Sequence, residues 1–418
     1  MALPRVSDSR RTLLVVSGGT EAVAGILRAR ELGLHVVVSD ASLAAPGFAV
    51  ADDTIVASTY DVAETVAAAR RYHEQTRAID GVICIASDVP LTVASVAADL
   101  GLPGIPIESA RLATDKLAMK QQFDAAGISV PWFHLVESRN ELEALINDRG
   151  LPAVLKPVDS RGARGVLLLT EGIDLGWAYA TSRAQSPSGR LLLEQYLHGP
   201  QISTESLVIG GRAHTIGLAD RNYRQLDRFA PFMIEDGGEL PSALGAGELD
   251  AVCALVQGAT ESLGVSDGVV KGDIVLSDGR PFVIELAPRL SGGYLCTFEI
   301  PLSTGVDFVG AAIRIALGDQ VSLDELAGGE PRGVAQRWLF PPPGHVRRVA
   351  GVEQVASRPE VTLCEVRVSV GDEIGPVDSH PARAGVVIAT GPTREQAIDN
   401  AERAVADIVI ETVRVGAA

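Results

Sequence analysis

Lys156 sits inside the apolar strand-like run PAVLKPV. A buried ammonium needs an anionic partner, because lysine is rarely buried unpaired. Just beyond it, Ser160 to Gly165 reads SRGARG. Glycines there let backbone N–H groups wrap a phosphate, and Arg161 and Arg164 add positive charge. Upstream, Lys116 and Lys120 in TDKLAMK stand four residues apart on one helix face. A solvated face is the ordinary reading of such a pair, and for Lys120 it is sufficient. Downstream, Glu194 ends the apolar strand of LLLEQYL, an acid able to pair with an amino group. Asp273 and Glu285 lie in the two arms of GVVKGDIVLSDGRPFVIELAPRL, joined by Ser277-Asp278-Gly279-Arg280, a tight-turn sequence. Two carboxylates brought together repel unless a cation sits between them. Arg289 follows four residues after Glu285, and Ser291, Gly292 and Gly293 leave room for a ligand beside it.

Other signals are weaker. Gly18-Gly19 follows a strand and Asp40 ends the next, which invites a dinucleotide reading, but SGGTEAVAG is not G-x-G-x-x-G. GVSDG, Gly264 to Gly268, has the letters of a serine-hydrolase elbow in reversed context, with a helix before and a strand after. No Walker A sequence and no H-E-x-x-H occur, and the four cysteines form no C-x-x-C pair.

The elements that must position these residues alternate strand and helix over residues 12–105. TLLVV, HVVVSD, DTIVAS and GVICIAS are the strands, with helices through EAVAGILRAREL to a stop near Gly33, and at 61–75 and 90–100. Continuous apolar strands of this kind belong to a parallel sheet covered on both faces, so residues 1–105 read as an open, doubly wound α/β domain. One helix through ARLATDKLAMKQQFDAAG ends at Gly127. PAVLKPV, RGVLLLT and RLLLEQYL are short strands, residues 201–320 form an antiparallel set with a helix at 248–263, and the chain ends in a helix opened by Thr393 and Gln396.

The 418 residues allow two to four domains at roughly 100–200 residues each. Hydrophobic residues are 46% and charged residues 21%, the balance of a folded chain. The net charge of −17 opposes general binding to nucleic acid or anionic membranes, yet allows an anionic ligand in a local basic pocket. No stretch approaches the roughly 18–20 apolar residues of a membrane span. The short apolar run after the N-terminus is unlike a secretory leader, so a cytoplasmic location is expected.

Taken in order, these motifs resemble the ATP-grasp superfamily over nearly the whole chain. The layout is similar to biotin carboxylase and the purine-biosynthetic carboxylate–amine ligases, and VKGDIVLSDGRPFVIELAPRLSGG most resembles the L-amino-acid ligase branch. The resemblance implies a pre-ATP-grasp α/β domain at 1–105, a linking helix at 106–129 and a small lid domain at 130–200. A metal-carrying core follows at 201–325 and an α+β extension at 326–418. It implies ATP and Mg2+, or Mn2+ in its place, as cofactors. Lys116 and Lys156 would contact phosphates, with Lys156 also beside the adenine. The loop holding Ser160, Gly162 and Gly165 would fold over the phosphates. Glu194 would accept from the adenine amino group beside the Tyr196 and Leu197 backbone. Asp273 and Glu285 would hold the metal, and Arg289, with Ser291, Gly292 and Gly293, the carboxylate or acyl phosphate. Glu205 matches a recurrent acid of less defined role.

Two positions depart from the pattern: Ala287 stands where many members have a metal-binding Asn, and Gln201 where some carry a ribose-binding Glu. The implied reaction joins a small-molecule carboxylate to an amine through an acyl phosphate, releasing ADP and phosphate. A bicarbonate-using carboxylase and a degenerate nucleotide-binding scaffold are the alternatives. Arg221, Arg228 and Glu235 lie between the ATP hinge and the hairpin. They read equally as recognition of a zwitterion or second anion and as an ordinary polar surface. A homodimer is one assembly open to this layout.

Overall fold

A computed structural model describes residues 9–413; the first residues of the N-terminal stretch read above lie outside them. The chain starts with β1 (Thr12–Val16), α1 (Val23–Glu31), β2 (His35–Asp40), β3 (Asp53–Val56), α2 (Val62–Gln75), β4 (Gly81–Ile83) and α3 (Pro90–Leu100). The four strands pair in parallel in the order β3-β2-β1-β4. β1 is buried at every position, as its unbroken apolar run requires. The strand order reverses beside β1. The turns leaving the carboxyl ends of β1 and β4 therefore meet at a topological switch point, where such sheets bind ligands.

The helix expected to run through to Gly127 is two: α4 (Ile107–Thr114) and α5 (Lys116–Ala125). Asp115 between them is extended, and its carboxylate accepts from Leu117 and Ala118 N–H. It is an N-cap, so it starts a new helix instead of continuing the old one. That break aims Lys116 and Lys120 inward.

Next come β5 (Phe133–Val136), α6 (Arg139–Arg149), β6 (Ala153–Pro157), β7 (Leu167–Leu169), α7 (Leu175–Ala184) and β8 (Leu191–Gln195). They form an antiparallel sheet, β5-β8-β6-β7, over its own apolar core. β9 (Gln201–Ile209), β10 (Arg212–Asn222), α8 (Leu226–Phe229), β11 (Gly237–Leu240), α9 (Ala246–Ser262), β12 (Gly268–Ser277) and β13 (Arg280–Ala287) follow. After a π-helical turn at Leu295–Glu299 come α10 (Ile300–Thr304), α11 (Phe308–Ala316), β14 (Gly333–Trp338), β15 (Gly344–Ala350), α12 (Val352–Ala356), β16 (Val361–Val366), β17 (Glu373–Ile374), β18 (Gly385–Gly391), α13 (Arg394–Ala406) and β19 (Val409–Val413). The described chain thus closes on a strand after α13. β19 completes a small sheet, β17-β15-β19.

One eight-stranded sheet, β13-β12-β9-β10-β11-β14-β18-β16, joins residues before and after 325. The C-terminal extension is therefore continuous with the core. A shared apolar cluster ties β1, β2 and α1 to α11 and the inner strands of this sheet, so the first domain packs on the core through a common apolar contact.

Candidate active site

A cavity of about 670 Å3 lies between the first parallel sheet, the β5-β8-β6-β7 sheet and the eight-stranded sheet. Lys116, Lys156, Ser160, Gly162, Glu194, Tyr196, Leu197, Glu235, Asp273, Glu285, Arg289, Ser291, Gly292 and Gly293 all line it. Three residues expected at the site do not. Gly165 packs the loop down: at φ +72 its Cβ would fall 2.9 Å from Gln185 Cβ and 3.0 Å from Pro157 Cγ. Glu205 lies behind the wall, fully buried, its Oε1 accepting from Ser291 N at 2.8 Å. Arg228 is exposed and turned away, donating to Phe340 O at 2.9 Å and Gln225 Oε1 at 2.7 Å.

At one end three buried charges interlock. Glu194 Oε2 lies 2.9 Å from Lys156 Nζ, and Oε1 lies 3.1 Å from Lys120 Nζ, within ion-pair range though poorly aligned for a hydrogen bond. The ordinary solvated reading of Lys120 is corrected, because it is completely buried. Lys156 likewise has a partner within the chain. Burial would raise the Glu194 carboxyl, but the two ammonium groups hold it below its usual range. Burial pulls Lys120 down to about 8, partly offset by Glu194.

The loop from Ser160 to Gly165 closes over the centre. Lys116 Nζ donates to Ser160 O at 2.8 Å. Gly162 is left-handed and its carbonyl accepts from His380 N at 3.0 Å. Arg161 sits over the Tyr60 ring, 4.3 Å from its centroid. The loop is thus bounded on one side by the first domain and on the other by the C-terminal extension.

In the β12–β13 hairpin Asp273 is the direct register partner of Glu285, and Ser277 pairs with Arg280 across the left-handed Asp278-Gly279 turn. Both carboxylates reach the cavity. Arg221 Nη1 lies 2.8 Å from Asp273 Oδ1, and Lys271 also pairs with it. Burial opposes ionisation of Asp273, but these cations hold its carboxyl well below the usual range. Lys116 Nζ lies 3.4 Å from Glu285 Oε1.

The pair fits Mg2+, which takes one or two protein carboxylates and fills its octahedron with phosphate and water oxygens. Ala287 lines the same wall and adds no side-chain donor. Among the described residues, no group of three or more His, Cys, Asp or Glu is placed to hold a metal alone.

Several site residues escape sequence reasoning. Asp88, from the turn after β4, lies 3.5 Å from Arg289 Nε and 3.6 Å from Arg161 Nε. Glu21, after β1, accepts from Gly293 N at 2.7 Å and pairs with Arg367 at 3.1 Å. The strand-end turns at the switch point were the available signal for both. Asp40 is structural: it accepts from Gly18 N at 2.9 Å and fixes that turn.

Sequence comparison agrees with this geometry. Residues 113–293 match the ATP-grasp domain, 27–104 the ATP-grasp N-terminal domain and 337–413 the L-amino acid ligase C-terminal domain 2. A D-alanine–D-alanine ligase of Gloeobacter violaceus is 30% identical over 223 residues, covering 50% of this chain and 70% of that one. The chain belongs to the ATP-grasp family of ADP-forming carboxylate–amine ligases. ATP and Mg2+ are its cofactors. The formate-dependent phosphoribosylglycinamide formyltransferase of a Synechococcus species is 25% identical, covering 96% of this chain and 97% of that one. The L-amino acid ligase from Bacillus licheniformis shares the fold of this ATP-grasp protein with a TM-score of 0.82. It is 20% identical, over 97% of this chain and 99% of that chain. No helix among the described residues is long and apolar enough to cross a membrane.

Proposed function

We propose that this enzyme activates the carboxylate of an amino acid as an acyl phosphate and joins it to the amine of a second small molecule, releasing ADP and phosphate. The observation that carries the reading is the shared cavity. The register pair Asp273–Glu285, the glycine loop and Arg289 face one another across it. Amino acids as the substrate class are supported by the L-amino acid ligase C-terminal domain match.

Lys116, Lys156 and the Ser160–Gly165 loop neutralise and cover the phosphates, while Glu194 and the Tyr196–Leu197 backbone receive the adenine edge. Mg2+ held by Asp273 and Glu285 supplies charge neutralisation of the phosphates. Arg289 orients the reacting carboxylate through its planar fork, and Asp88 orients Arg289. Glu205 acts from behind, holding the Ser291 backbone so that the Gly292-Gly293 turn stays open. Glu235 offers a carboxylate to a substrate ammonium. The closed loop keeps water from the acyl phosphate.

The experiment is ADP release with Mg-ATP across pairs of amino acids. The expected result is release that needs both partners and stops on chelation of Mg2+. Release with bicarbonate alone, or none with any pair, overturns the reading.

A further inference from the structure

We propose that the cavity end built on Trp338 and Arg383 is a subsite for a second carboxylate of the substrates, one that is not activated. The proposal rests on the ligase reading above and names the substrate chemistry of the same cavity. The other buried or half-buried arginines on the cavity wall each have a carboxylate. Arg221 pairs with Glu235 and Asp273, Arg289 and Arg161 with Asp88, and Arg367 with Glu21 and Glu365.

Arg383 is 8% exposed and has none within ion-pair reach among the described residues. It donates only to main-chain carbonyls, from Nε to His380 O at 2.9 Å and from Nη1 to Glu235 O at 3.5 Å. A guanidinium carries five donors, and a buried cation left without an anion is costly. Arg383 sits over the Trp338 ring, 3.5 Å from its centroid, which fixes the guanidinium in place. The Trp338 indole N–H is also buried without an acceptor. Two donors at this end, the Arg383 guanidinium and the Trp338 indole N–H, therefore lack an acceptor carrying negative charge.

A planar fork matches a carboxylate. Burial, with Arg367 and Arg221 nearby, lowers the guanidinium to about 10 in spite of the opposing pull of Glu235 and Glu21, so an arriving anion relieves an existing cost. The location suits a substrate. A Cβ on Gly293 would come no closer than 3.9 Å to Trp338 Cζ2, so the subsite adjoins the turn that follows Arg289.

The carboxylate has two sources: the side chain of an acidic amino acid, or the α-carboxylate of the amine component. Calorimetric titration in the presence of Mg2+ and a non-hydrolysable ATP analogue separates them. One arm compares L-glutamate with L-glutamine and L-aspartate with L-asparagine. The other compares glycine with glycinamide and L-alanine with L-alaninamide. In one arm the charged member should bind at least about tenfold tighter than its amide. Arg383→Met, which keeps the stem over Trp338, should bring the two affinities within about threefold, and Arg383→Lys should fall between. Because Arg383 has no anionic partner in the chain, the unliganded Tm of Arg383→Met should not fall. No binding by any charged member, equal affinities in both arms, or a preference that survives both substitutions overturns the proposal. ADP release, measured separately, reports on the ligase reading, so either can fail alone.

Discussion

The two ends of the cavity solve the same electrostatic problem in opposite ways. At the Glu194 end, each buried charge is matched by another protein charge: Lys120 and Lys156 meet Glu194, and Lys116 meets Glu285. At the Trp338 end, Arg383 is buried with carbonyls alone. A self-matched end stays folded without ligand and must exchange partners when an anion enters. An unmatched end gains its partner only from the ligand. Stability and ligand recognition should therefore separate by location, and substitutions can test that division.

The largest effect is expected at Glu194. Glu194→Gln removes the shared anion and leaves two buried ammonium groups facing each other. Breaking a buried ion pair by removing one partner costs about 3–5 kcal/mol. Chemical denaturation should read a loss of that size. A variant as stable as wild type would mean that the cations at this end are not held by Glu194.

Glu285→Gln and Arg289→Lys come next, and here activity should move while the fold survives. Each substitution keeps shape. One loses a charge at the metal wall, the other the planar fork toward the carboxylate. ADP formation should fall by about a hundredfold or more, the scale of losing one preorganised charged contact. Arg289→Lys should retain Mg-ATP binding, seen as a ligand-dependent rise in Tm. Loss of ATP affinity in Arg289→Lys would move Arg289 to the nucleotide end of the comparison.

The same division explains what could be read along the chain. Lys156, Glu194, Asp273 and Glu285 stand as isolated acids or lysines in largely apolar strands, so local pattern exposes them. The β12–β13 register follows from the turn that joins the strands. Asp88 and Glu21 have no such local mark. Their partners Arg289 and Arg367 are 201 and 346 residues away, and only tertiary packing brings them together. Lys120 was hidden by Asp115, whose capping carboxylate breaks what reads as one helix and turns a surface lysine into a core one. Arg383 sits in a polar loop of ordinary composition, and its burial depends on β14 placing Trp338 beneath it. The α/β class of the first domain was carried by continuous apolar strand runs alternating with helices, a pattern that is local. The unity of the eight-stranded sheet across residue 325 was not, since β11 and β14 pair from nearly a hundred residues apart.

A smaller effect should appear between the two ends, at Glu205. Burial raises its carboxyl to about 7, only partly offset by its bonds from Ser291. An acid whose folded pKa is raised contributes stability that is complete below its unfolded value of 4.5 and is lost as pH climbs through about 7. A tenfold difference in acidity between the folded and unfolded chain is worth about 1.4 kcal/mol. The stability of wild type minus that of Glu205→Gln should therefore decline between pH 5 and pH 8. Glu299, raised to about 8 by burial and by Glu235 and Glu239, is present in both proteins and cancels. A difference independent of pH would show that Glu205 is already ionised when folded.

The smallest effect belongs to Arg228, which the chain order puts beside Arg221 and Glu235 but the fold turns outward. α8 is a single turn that carries Arg228 to the surface, where it covers Phe229 at 5.0 Å and caps the Phe340 carbonyl. Phe229 itself packs against Phe340, with ring centroids 4.8 Å apart, and that contact does not need the guanidinium. Arg228→Ala should change ADP formation and substrate affinity by no more than about twofold, the half kilocalorie typical of a surface change. Arg221→Ala, measured beside it, should lose far more, because it strips Asp273 and Glu235 of a shared buried cation. A comparable loss in Arg228→Ala would mean that α8 swings inward when substrate binds, and that Arg383 shares its anion with a second arginine.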